Sequence, residues 1–404
     1  CWFLMRILLG KMLALVFSAL LPTISALAED APQATPSSEI DGFNFNFVYT
    51  GEFATSNGGL LSGDAYLDNI DMTLETDLES LLGWSNSKLM IYVLGNQGRS
   101  PSAFIGDTQG VSNIDAPDTW KLYELWYQRT WVQDKYSIRA GLYDYNSEFD
   151  VLETAGLFLN SSFGIGPDIA QSGENGPSIF PTTSLALRGR FTTDRNFYLQ
   201  GVILDGVPGD PLNSHGTHIK LNSEDGLMLA LEAGKILDEG AYKKIAVGSW
   251  RYSKNSVESA AGVAISGQKN WGIYALAEAR LFNENDVLQG LSGFVRYGIA
   301  NSDINQLDSY LGIGAVYTGW FPKRNQDQLG IAIANAFSSD QYRAESAIAG
   351  SESEGRESTI EITYRAQLTK WLSVQADYQH VINPGLEGTV ANANVFLFRF
   401  EIGF

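Results

Sequence analysis

Arg188 and Arg190 stand two residues apart in SLALRGRF, and further arginines recur in similar settings: Arg139 in YSIRAGLY, Arg296 in FVRYG, Arg365 in TYRAQ and Arg399 in LFRFE. Against them the chain sets Asp71, Glu75, Glu124, Glu232, Glu361, Asp377 and Glu401. A guanidinium is a planar fork of donors that stays protonated, and carboxylates are acceptors. Opposed rows of the two on one wetted surface make a transverse field that orients water and hydroxyl groups and holds them weakly. That chemistry suits passage. Bond-breaking chemistry has thinner support: the three histidines are His215 and His218 in HGTH, a turn-rich stretch, and His380. A pair at that spacing has no third ligand in a recognisable metal-site context, and no nucleophile elbow, phosphate loop or zinc helix is present. The chain is read as a non-enzyme, with no cofactor and no metal.

The residues that must carry these groups alternate in character. In NIDMTLETD, Ile70, Met72 and Leu74 oppose Asn69, Asp71, Thr73, Glu75 and Asp77. In SLALRGRF, Leu185, Leu187 and Phe191 oppose the two arginines, and in FLFRFEIGF, Phe396, Phe398, Phe400, Ile402 and Phe404 share one face. Period-two alternation is the signature of a strand with two unlike faces. Such segments, separated by Gly/Asn/Asp/Ser/Pro clusters, fall near 43–51, 65–77, 88–95, 121–131, 136–143, 183–191, 196–204 and 226–234. They continue near 242–251, 269–280, 289–298, 309–318, 327–337, 358–367, 371–381 and 394–404. About 16 strands result, an even number, as an antiparallel barrel with both ends on one side requires.

Composition leaves two all-β readings. The chain is 18% charged and 12% aromatic with 41 Gly, its mean hydropathy is -0.09, and no stretch after the first thirty residues approaches the ~20 apolar residues of a spanning helix. A soluble sandwich of that many strands would need an oversized core; a barrel turns the apolar stripe to lipid and the charged stripe to water. The N-terminus favours the barrel. Arg6 and Lys11 flank an apolar run from Met12 to Leu21, and Ala26-Leu27-Ala28 offers a cleavage site, so residues 1–28 read as a signal peptide, 29–42 as a short periplasmic leader and 43–404 as one barrel domain. The lone Cys1 precedes Met5, so the mature chain carries no cysteine and needs no disulfide. The net charge of -19 argues against nucleic acid as a partner. Trp126, Tyr127, Trp131, Trp250, Tyr252, Trp320 and Trp371 fall near strand ends and are expected in the two interfacial girdles.

Several stretches carry a family likeness: YTGEF (49–53), YLDNIDMTLETDLESLLGW (66–84), GNQGRSPSAFIGDTQGVSNIDAPDTWKLYELWYQ (95–128), GPSIFPTTSLALRGR (176–190), DGVPGDP (205–211), LSGFVRYGIANSD (291–303) and YRAQLTKWLSVQADYQHVINPG (364–385). Through them the sequence resembles the carbohydrate-selective, OprB-like porins of bacterial outer membranes across essentially the whole mature chain. The resemblance implies a 16-stranded, antiparallel, up-and-down transmembrane β-barrel with a polar lumen and a constriction, passing small, glucose-like sugars by diffusion. A general diffusion porin is the alternative, and an outer-membrane barrel hydrolase ranks below both. The terminal strand resembles the address read by the barrel-assembly machinery at Phe404. An apolar outer face suits both lipid and the wall of a neighbour in a homotrimer.

A sugar offers hydroxyls and a faintly apolar ring face, so its contacts should be fixed donors, acceptors and aromatic rings. Arg188 and Arg190 are the leading pore donors, being on one face after a Pro-bearing loop. Glu124 and Trp126 follow, within the most family-like block, together with Arg139, Asp71 and Arg296. The connection 96–118 is long for a hairpin, an external cover or a segment folded into the lumen, and Arg99 and Asp107 are its expected pore contacts. Cross-strand pairing as wall scaffolding is the commoner fate of any single one of these charges.

Overall fold

The computed structural model describes residues 38–40, 42–238, 243–284, 289–351 and 353–404. The expected signal peptide and most of the leader lie outside the described residues. After a three-residue strand β1 (Ser38–Ile40), which pairs with the first residues of β2, the chain runs through β2 (Phe43–Gly59), β3 (Gly63–Asp77), β4 (Ser87–Gly98), β5 (Thr119–Trp131), β6 (Tyr136–Tyr143), β7 (Ser184–Thr192), β8 (Phe197–Asp205) and β9 (Leu227–Asp238). It continues through β10 (Lys243–Glu258), β11 (Ala264–Asn283), β12 (Gly290–Ala300), β13 (Leu307–Thr318), β14 (Gln328–Ser338), β15 (Arg356–Thr369), β16 (Leu372–Ile382) and β17 (Ala391–Gly403). Each of β2 to β17 pairs antiparallel with its sequence neighbours. β17 returns to β2, with Arg399 opposite Glu52 and Phe400 opposite Gly51, so the sixteen strands close and no sheet edge is left in hydrocarbon. Every one of the sixteen expected segments is a strand, most of them longer by a few residues at one or both ends.

The faces are assigned as the alternation requires. Leu187, Leu229, Leu231, Ile313, Ile331, Ile362 and Phe396 are exposed on the outer wall, while Glu52, Asp71, Glu124, Arg139, Arg188, Glu232, Arg296 and Glu361 occupy the opposite parity and point inward. Several register shifts fall near strand ends, and one in the middle of the wall changes which residues face inward. Between Tyr92 and Val93 the partner on β5 skips from Glu124 to Leu122, a bulge that turns both Tyr123 and Glu124 inward. Trp131, Trp320 and Trp371 lie exposed at strand ends, as girdle residues should. Trp126, Trp250 and Tyr252 do not: they are buried on the inner face, because their positions share the inward parity of Gln128 and Ala246.

The two ends of the barrel differ. The connections nearest the termini, such as 132–135, 193–196 and 370–371, are short, whereas those at the far end include 99–118, 144–183, 206–226 and 339–355. Short turns mark the periplasmic side and long connections the outside. Two of the long connections, 99–118 and 144–183, fold back into the barrel.

Candidate functional site

The inner wall is arranged to hold the segment 144–183. An irregular segment brings backbone N–H groups that no ladder satisfies, and inside a barrel each must find an acceptor. The wall supplies carboxylates at the right heights. Glu124 accepts from Asp144 N at 2.9 Å, and Glu232 from Asp150 N at 2.9 Å. Glu278 accepts from Thr154 N at 2.8 Å, and Glu361 from Leu159 N at 2.6 Å and Asn160 N at 3.0 Å. The loop returns its own carboxylates to the wall. Arg296 donates to Asp150 at 2.8 and 3.1 Å and to both oxygens of Asp168, with the rings of Tyr274 and Tyr310 each 5.4 Å from its guanidinium carbon. This clamp needs room: a Cβ on Gly298 would stand 2.2 Å from the Asp168 carboxylate and 2.4 Å from the guanidinium, and one on Gly166 would meet the same groups.

Apolar packing completes the docking. Phe149, Leu152, Leu157, Phe158, Phe163 and Ile169 of the loop join Phe294, Tyr310, Leu276 and Trp250 of the wall in one buried cluster. The lumen is therefore not polar throughout, as the alternation alone suggested. Its β8 to β15 side is sealed under the loop, and the inward Gln200, Glu232, Glu278, Arg296 and Glu361 there are buried.

The wetted groups lie on the other side. Asp71 and Glu75 on β3, Tyr92 on β4, Gln128 on β5, Arg139 on β6, Arg190 on β7 and Glu401 on β17 are all partly exposed. Arg139 lies over the ring of Trp126, 3.7 Å from its centroid, and donates to Gln128 at 3.0 Å. Arg190 lies 4.7 Å over Tyr198. Arg188, between them, is 1% exposed and grips Glu148 of the loop through two bonds of 2.8 Å. Burial would raise the Glu148 carboxyl, but Arg139 and Arg188 outweigh it and hold the group below its ordinary range. Acids of β3 and β17 and guanidiniums of β6 and β7 thus flank one crescent. Between β3 and β6 lie three strand spacings, roughly 14 Å of wall.

Comparison with known proteins gives this geometry a family. The profile of the carbohydrate-selective porins, OprB family, matches residues 62–404. The chain belongs to that family. Porin B of Pseudomonas aeruginosa is 22% identical over 402 residues, covering 90% of this chain and 88% of that protein. OprB of Pseudomonas putida has the same fold: its high-pH structure superposes with a TM-score of 0.79 at 21% identity, over 90% of this chain and 94% of that one. Its low-pH structure gives 0.58 at 18% identity, over 90% and 93%. The family places the porin in an outer membrane.

The second infolded segment of the porin, 99–118, plugs the lumen from the side of β15 to β17. Thr108 N and Gln109 N donate to Glu357 at 2.8 and 3.0 Å, Gln379 reaches Val111 O at 2.8 Å, and Arg399 reaches Asn113 at 2.8 Å. Of its two expected pore contacts, Arg99 is exposed and lies 4.2 Å over Phe104. The carboxylate oxygens of Asp107 are buried under its own segment, where burial first and the Glu357 charge second push the carboxyl up to about 7. A carboxyl raised on docking favours the docked state while protonated. That contribution is full below the ordinary aspartate range near pH 4, declines as pH climbs to 7, and is gone above it. Amide protection at Thr108 and Gln109, corrected for intrinsic exchange, should therefore fall between pH 4 and 7 in the wild type and fall less in Asp107→Asn, where the Glu357 carboxyl remains to titrate. The same decline in the variant would remove Asp107 from the cause.

The expected site residues of the barrel wall thus separate into three groups. Arg139, Arg190 and Asp71 line the crescent. Arg188, Glu124 and Arg296 hold the loop, and Trp126 supports Arg139 from below. Glu148, which meets two of the arginines, was not among the expected residues. Its signal lay in a carboxylate at the head of an aromatic, apolar stretch that follows no strand period. His380 faces outward and meets Asn394 at 2.9 Å, while in 206–226 His215 is exposed and His218 half-buried.

Proposed function

We propose that the porin passes small, glucose-like sugars by diffusion along the crescent between the loop 144–183 and the wall of β2 to β7 and β17. The observation that carries this reading is the pair Arg139 and Arg190. Each guanidinium is stacked on an aromatic ring and only partly bonded within the protein, so its orientation is fixed while donors remain for a passing hydroxyl. Asp71, Glu75 and Glu401 supply acceptors along the facing edge. Each contact is partly exposed and worth about 1 kcal/mol net, which orders a sugar without trapping it. Phe404 supports assembly by the barrel machinery in the same reading. Its ring is exposed, stacks on Trp371 at 6.3 Å, and its backbone is tied to Phe47.

Liposome swelling tests the channel. Glucose should enter faster than a neutral amino acid of similar size, and the double variant Arg139→Ala, Arg190→Ala should erase that preference while raising both rates. Equal rates for the two solutes in the wild type would make it a general diffusion porin.

A further inference from the structure

A groove of about 490 Å³ runs along the outer wall between β9, β10 and β11, lined by Leu229, Leu231, Ser249, Arg251, Trp271 and Ile273. The register explains it: Ser249 stands opposite Leu231 and Ile273, and Arg251 opposite Leu229 and Trp271. A small side chain between larger neighbours leaves a slot, and the exposed Arg251 caps its outer end. β10 climbs from the terminal end toward 259–263, so Arg251 lies on the side of the long connections, level with the exposed Trp271. Lys269, one step further out, donates to the Ser253 carbonyl.

Two features set the groove apart from ordinary lipid-facing wall. The side chains of Ser249 and Arg251 have no hydrogen bond or ion pair within the described residues. In a chain of net charge -19, the outward positions of β9 from Leu227 to Leu237, of β10 from Ile245 to Ser253 and of β11 from Lys269 to Leu281 carry lysine and arginine but no carboxylate. A bare guanidinium at the edge of hydrocarbon, with an oily slot beneath it, is complementary to a phosphate carried on acyl chains.

We propose that this groove binds a phosphorylated, multiply acylated lipid of the outer leaflet, with one acyl chain along Leu231, Ser249 and Ile273 and a phosphate on the Arg251 guanidinium. The site is independent of the sugar path, since it lies on the opposite face of the sheet. The test is a native mass-spectrometric titration of the detergent-solubilised porin with diphosphorylated lipid A and with the same lipid A after its phosphates have been removed. The wild type should prefer the phosphorylated lipid about tenfold, and Arg251→Ser should lose that preference. Ser249→Leu, which fills the slot and keeps the cation, should weaken both lipids. Glucose swelling unchanged in Arg251→Ser certifies an intact barrel. Equal affinity of the wild type for the two lipids, or undiminished binding in Arg251→Ser, would show an arginine that merely snorkels to water and would overturn the proposal. So would full binding by Ser249→Leu.

Discussion

Replacing Arg296 with Ala should unlatch the loop at Asp150 and Asp168 and make the open pore flicker toward a larger conductance. The substitution leaves two buried carboxylates without their cation, and breaking a buried pair by removing one partner costs about 3–5 kcal/mol. Against this stands the apolar docking of Phe149, Leu152, Leu157, Phe158, Phe163 and Ile169. At about 1.5–3 kcal/mol per buried side chain, these six contribute roughly 9–18 kcal/mol. The apolar term wins, so the loop stays in the lumen and only its clamped segment fluctuates. Single-channel recording should show two interconverting levels, the lower one that of the wild type. A companion variant separates clamp from cavity. Arg296→Met with Asp150→Asn and Asp168→Asn leaves no charge buried in the clamp and should return a single, quiet level. A steady wild-type conductance in Arg296→Ala would mean the clamp does not hold the constriction.

The barrel was legible because its code is strictly local. A face must be apolar at every second residue to meet lipid, and stretches such as ITYRAQL and SLALRGRF declare that with no knowledge of their neighbours. The same parity correctly placed Arg139, Arg188, Arg190, Arg296, Asp71 and Glu124 on the inner wall. It could not say what each meets there, because the partners come from a loop far away in sequence: Arg296 is 128 residues from Asp168, and Glu361 is 202 from Leu159. The aromatic girdle was misread for Trp126, Trp250 and Tyr252 for the opposite reason. Residue type suggested the interface, while parity, which decides, sent them inward beneath the loop. The segment YNSEFDVLETAGLFLNSSFGIG carries a visible clue in its many Phe and Leu without strand alternation. A connection so rich in large apolar residues cannot lie in water and must be buried somewhere.

A second anchor makes the hold on that loop testable as a collective property. Glu361, 0% exposed, accepts the N–H groups of Leu159 and Asn160, beside the apolar residues Leu157 and Phe158. Glu361→Ala would strand two buried donors, at about 1–3 kcal/mol each, whereas Glu361→Gln keeps an acceptor oxygen and should cost less. Alone, the Ala variant forfeits roughly 2–6 kcal/mol, again short of the apolar hold, so the loop tip should loosen and glucose preference soften. Combined with Arg296→Ala, the two losses reach roughly 5–11 kcal/mol, which enters the range of the apolar docking itself. The double variant should therefore release the loop and raise conductance and disaccharide swelling by more than the two single effects together. Strictly additive increases would mean that the two anchors restrain separate stretches of chain and that the constriction is not held as one unit.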